Sequence, residues 1–191
     1  MPVSSALAAN SLRRSMSKGC HATRLTTAHG EICDAGMAEQ QEIHRLGAQS
    51  RSLPPALQSL LSYWLQKCAG RAMPSRGDLP VQELRPWIGH LALIDAAAGG
   101  KFRIRLCGTH LIRRLGREAT GVSVDELAPD IAAQLCAVLK AACRALEPVV
   151  AVSSVALGRT TYWYVDVALP LADARADEGL FLLGSYPARE G

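Results

Sequence analysis

Aromatic residues are scarce in this chain, with two Phe, three Trp and four Tyr among 191 residues. A stacking platform for single-stranded nucleic acid needs several exposed rings, so the scarcity argues against that class of function. Dense runs of Lys and Arg are also missing. The net charge is +4, and half of it comes from residues 1–36, where Arg13, Arg14, Lys18 and Arg24 outnumber Glu31 and Asp34. The remainder is close to neutral and offers no surface for tracking phosphates, which argues against a nucleic-acid partner. The six cysteines (Cys20, Cys33, Cys68, Cys107, Cys136 and Cys143) form no C-x-x-C pair and no zinc-ligand spacing with histidine. They read as free thiols in a reducing cytoplasm. No apolar run approaches the length of a membrane span. Ser62, Ser153 and Ser154 lack a nucleophile-elbow setting, and Asp95, Asp125 and Asp166 have no companion at a spacing that suggests a shared site. The chain therefore reads as non-enzymatic, with an enzyme of unknown type as the third-ranked alternative.

What is present is a globular composition, 49% hydrophobic and carried mostly by Ala, Leu and Val. Residues 1–50 show little periodic hydrophobicity and read as a disordered leader or as sequence upstream of a true start at Met37, with a transit peptide ranked below both. Ser52 with Pro54 and Pro55 marks the opening of a helix over 55–70, whose stripe is Leu57, Leu60, Leu61, Trp64, Leu65 and Cys68. Such a stripe needs a covering surface, either the domain's own sheet or another subunit. Residues 71–80 form a loop in which Arg76 and Asp78 can pair, and Val81–Trp87 is a short helical turn.

Strand patterns follow. Ile88–Ala96 is the first, turned back by Gly99 and Gly100. Lys101–Cys107 alternates cleanly, with Phe102, Ile104 and Leu106 on one side and Lys101, Arg103 and Arg105 on the other. Thr109 is placed as the cap of a short helix to Arg117, and Asp130 as the cap of a long helix to Leu146. Val149–Leu157 and Thr161–Leu169 form a hairpin around Gly158-Arg159, and Gly179–Tyr186 is the last strand. Five strands split two and three by helices cannot build a doubly wound parallel sheet. They predict an α+β fold: a five-stranded antiparallel sheet with helices on one face, preceded by the amphipathic helix.

Residues from about 53 to 188 resemble a family of small, stand-alone bacterial PAS-like proteins. The resemblance is carried by Tyr63-Trp64 and Met73-Pro74-Ser75-Arg76, then by the strand ending in Asp95 and the Phe102–Thr109 strand. Gly116, Arg117, Thr120 and Gly121 continue it, followed by Tyr164, Pro170 and Leu171. It implies a PAS fold and a cytoplasmic sensing or protein-contact role in bacterial signalling, with no defined ligand. Haem is argued against because the long helix has no histidine, and His90 and His110 read as capping or surface residues. Flavin photochemistry is argued against because Cys143-Arg144 lacks the surroundings of a reactive cysteine. Arg103, Arg105 and Arg117 are the candidate ligand residues, suited to an anion or a nucleotide such as a cyclic dinucleotide. Leu57, Leu61, Trp64 and Leu65 are the candidate partner or homodimer surface. The alternative function is a structural interaction or dimerisation module without a ligand.

Overall fold

The structure is a computed structural model that describes residues 43–45, 53–97, 99–157, 159–172 and 179–188. Of the leader read over residues 1–50, all but residues 43–45 lie outside the described residues, as do the start at Met37, the cap at Ser52 and the thiols Cys20 and Cys33. The five expected strands are all present: β2 (Leu91–Ala97), β3 (Lys101–Cys107), β4 (Val149–Leu157), β5 (Thr160–Leu171) and β6 (Leu180–Pro187). A further strand, β1 (Ile43–Arg45), lies within the stretch read as leader, because three residues carry no periodic signal. The sheet order is β1-β4-β5-β6-β2-β3, antiparallel throughout. The chain's two halves join where β6 pairs with β2, from Leu91 opposite Gly184 to Asp95 opposite Leu180.

Both faces of this sheet are covered, because its strands alternate two apolar sets rather than one apolar and one polar set. The inner set includes Ile94, Phe102, Ile104, Ala151, Phe181 and Leu183, and it packs under α4 (Pro129–Ala145). Helix α4 presents Ile131, Leu135, Val138, Leu139 and Ala142 to that core. Its N-cap is Ala128, with Pro129 in the first turn; Asp130 lies inside the helix, and Leu146 is the left-handed C-cap. Short α3 (Thr109–Leu115) lies on the same face through Leu111; its N-cap is Gly108, so Thr109 is the first helical residue.

The outer set (Leu91, Val150, Val165, Val167, Leu169 and Leu182) is covered by α1 (Pro55–Cys68). Leu57, Leu60, Leu61 and Trp64 are buried there, and the Trp64 indole N–H donates to the Pro170 carbonyl at 3.0 Å. Of the two coverings the stripe allows, this is the domain's own sheet. Leu57, Leu61 and Trp64 cover the chain's own sheet, and Leu65 alone of that group is exposed, at 54%. The close seat depends on Gly184 in β6, where an added Cβ would lie 2.7 Å from Leu60 Cδ2 and 3.0 Å from Leu57 Cδ2. Next to α1, the short α2 (Val81–Leu84) adds Leu84 to the same core.

Strand β3 departs from simple alternation. Leu93 pairs with Leu106 but Ile94 pairs with Ile104, so Arg105 is the extra residue of a bulge. A one-residue shift reverses the facing of everything beyond it. Leu106 therefore leaves the side of Phe102 and Ile104 and is 54% exposed. In the loop before α2, Asp78 pairs with Arg71 (2.8 Å) and accepts from the Ser75 N–H and hydroxyl, both at 2.7 Å. The Ser75 hydroxyl is the main cause that holds the Asp78 carboxyl down to about 2. Arg76 donates instead to the Leu79 carbonyl at 2.7 Å.

Candidate functional site

On the inner face, the alternation of β5 places Tyr162, Tyr164 and Asp166 on one side of the strand. Pairing sets Asp166 opposite Ser185 of β6, and Ser153 of β4 opposite Tyr164. Three central strands thus bring Ser153, Asp166 and Ser185 together, and α3 supplies Arg114, 52 residues from Asp166 in sequence. Nη1 of Arg114 donates to Asp166 Oδ1 and to Ser185 Oγ, each at 2.6 Å. Nη2 donates to Ser153 Oγ at 2.7 Å and to Asp166 Oδ2 at 3.1 Å. The Ser153 hydroxyl donates in turn to Asp166. Both charged side chains are 1% exposed. The Tyr164 ring lies over the guanidinium, 4.4 Å away, and Arg114 Nε is buried without a hydrogen-bond partner.

A second cluster adjoins this network. His90, at the end of the turn Ile88–His90, is stacked between His110 and Tyr186, with both ring separations at 3.9 Å. The stack forms because the start of α3 lies directly on that turn. At Gly108 an added Cβ would be 2.4 Å from the Ile88 carbonyl oxygen, so only glycine permits the approach. His90 Nδ1 is 2.9 Å from the Ser185 carbonyl, which makes it the donor and fixes the neutral tautomer. Between the two clusters opens a cavity of about 280 Å³, whose lining includes His90, His110, Arg114, Tyr164 and Ser185.

The family is decided by the match of a PAS domain model to residues 53–186, over the same elements that form the sheet and its covering helices. The chain belongs to the PAS family. None of the curated proteins matches the chain. PAS domains are in general sensory and regulatory modules, and this one has no helix, among the described residues, long and apolar enough to cross a membrane.

Within the PAS domain the three arginines singled out from sequence are placed away from the cavity. Arg105 is ion-paired with Asp95, and Arg103 donates to the Gly121 carbonyl at 2.8 Å. Arg117 is exposed, just beyond the Gly116 cap of α3. None of the three lines the cavity. The residues that do converge, Arg114 and Asp166 with His90 and His110, were not assembled by sequence reasoning. By sequence Asp166 reads as an isolated candidate base, and His90 and His110 as capping or surface residues. The one available signal was a polar residue, Asp166, in the middle of a strand otherwise rich in aliphatics.

Among the described thiols Cys68 is buried, and Cys107, Cys136 and Cys143 are partly buried. Burial pushes Cys143 up to about 12 and Cys107 to about 11, and raises Cys68 and Cys136 as well. Among the described residues no cluster of His, Cys, Asp and Glu could hold a metal ion.

Burial also lowers the pKa of His90, the hydrogen bond to Ser185 opposes the shift, and His110 adds to it. The unfolded chain thus takes up a proton near pH 6.5 that the folded chain refuses, and stability falls as pH drops through that value. Melting temperature measured from pH 7.5 to 5.5 should decline more steeply in the natural chain than in His90→Phe, which keeps a ring in the stack and removes the titration. Equal slopes would show that the folded chain protonates His90 as readily as the unfolded one.

Proposed function

We propose that this PAS domain is a sensory module of bacterial signalling that binds a small molecule in the inner-face cavity and passes the event to a protein partner. One observation carries the reading: the open cavity touches Arg114 and Ser185, two members of the buried network that ties α3 to strands β4, β5 and β6. A ligand seated there bears on α3 and on three strands at once. A ligand with different affinity for two packings of α3 would shift their populations, and so alter the surface that a partner meets. Binding rather than catalysis is favoured because both oxygens of Asp166 are taken by Arg114, which leaves no free base in the network.

A protein-contact role without ligand is the second reading. It is favoured by an apolar groove of about 250 Å³ on the outer face, beside which Val81, Ile88 and Leu106 are about half exposed. Native mass spectrometry of the purified full chain separates the two. A monomer or dimer carrying a small-molecule mass that is lost in Leu111→Trp, where the cavity wall is enlarged, supports the sensory reading. A ligand-free dimer that falls apart in Ile88→Glu supports the second and counts against the first.

A further inference from the structure

The cavity lining includes four aromatic rings and carries charge of one sign. Tyr162 and Tyr164, two apart on β5, contribute two phenol rings to its lining. His110 is the outer member of the ring stack: His90 covers one of its faces, and the ring also lines the cavity. Arg113 lines the cavity as well; it is exposed and has no ion pair among the described residues. No acidic side chain lies in the lining, and Asp166 is sealed beneath its own arginine. A planar ring gains stacking contacts on such walls, and a carboxylate matches the two-pronged donor edge of a guanidinium. The volume is too small for a nucleotide pair and is close to the lower limit for small-molecule sites.

We infer that the cavity takes a small planar aromatic carboxylate, of the size of benzoate or a hydroxybenzoate, with its ring against His110 and Tyr162 and its carboxylate on Arg113. This rests on the cavity being the ligand site of the sensory reading. Ring and charge contribute separately: stacking selects planarity, and Arg113 selects the anion.

The full chain is titrated with benzoate, 4-hydroxybenzoate, benzamide and cyclohexanecarboxylate, followed by calorimetry and by the NMR signals of His110 and Tyr162. The two aromatic acids are expected to bind and to shift both signals. Benzamide, which lacks the charge, and cyclohexanecarboxylate, which lacks planarity, should each bind about tenfold more weakly. Arg113→Ala should weaken benzoate by a similar factor and leave benzamide unchanged, while Arg117→Ala, an equal loss of charge outside the cavity, should change neither. Benzamide or cyclohexanecarboxylate binding as tightly as benzoate, or benzoate unaffected by Arg113→Ala, overturns the ligand class and leaves the cavity standing as a binding site. Failure of all four probes to shift His110 or Tyr162 overturns the ligand class; the cavity reading falls separately, if the purified full chain carries no small-molecule mass.

Discussion

Replacing Asp166 with alanine should lower the unfolding free energy by about 3–5 kcal/mol, the range for breaking a buried ion pair from one side. The cost does not come from the lost attraction alone. Arg114 would keep its charge at 1% exposure, surrounded by two serine hydroxyls and the Tyr164 ring, with no anion to offset its desolvation. The paired replacement Arg114→Met with Asp166→Leu removes both charges, and should recover much of the loss because neither desolvation penalty remains. Urea unfolding followed by circular dichroism measures both, with the midpoint as readout and the slope as a check on two-state behaviour. A loss under about 1 kcal/mol in Asp166→Ala would mean that Arg114 swings out to water, and the network would then not anchor α3.

Trp64→Ala should cost about 3–5 kcal/mol, the usual range for deleting a buried aromatic side chain. The indole is 2% exposed and its N–H is held by the Pro170 carbonyl, so the substitution opens a cavity and strips a buried acceptor at once. The neighbouring Leu65→Ala should change stability by no more than about 0.5 kcal/mol, because that side chain is 54% exposed. Both variants should keep the natural chain's mass by light scattering, since α1 is seated on its own sheet. An unchanged stability with a changed mass in Trp64→Ala would make α1 an intermolecular element after all.

The contrast between Trp64 and Leu65 shows how far pattern reading reaches. The 3.6-residue stripe of α1 and the alternation of β3 and β5 identify helix and strands because those periods are local properties of the backbone. The same stripe says nothing about what covers it. Leu57, Leu61 and Trp64 fit an intermolecular face as well as an intramolecular one, and only the approach of α1 over Gly184 decides between them. The bulge at Arg105 was equally hidden: seven residues that alternate by composition change faces part-way, and the pairing partner, not the strand's own sequence, determines where.

The candidate site lay further from view. Lys101, Arg103 and Arg105 drew attention as a cluster of like charges in sequence, yet two of them serve Asp95 and the Gly121 carbonyl. No spacing in the sequence marks Arg114, although among the described residues it is the cation that the fold buries.

By itself the sequence determined the α+β class, five of the strands and the two long helices, because hydrophobic periodicity and turn residues act over a few residues at a time; its motifs carried the resemblance to the PAS family. The tertiary structure alone decided that both sheet faces are covered, that Arg114 meets Asp166, and that His90, His110 and Tyr186 stack beside a cavity. Those contacts join residues tens of positions apart. Strand order and helix placement bring them together, and no local spacing records either.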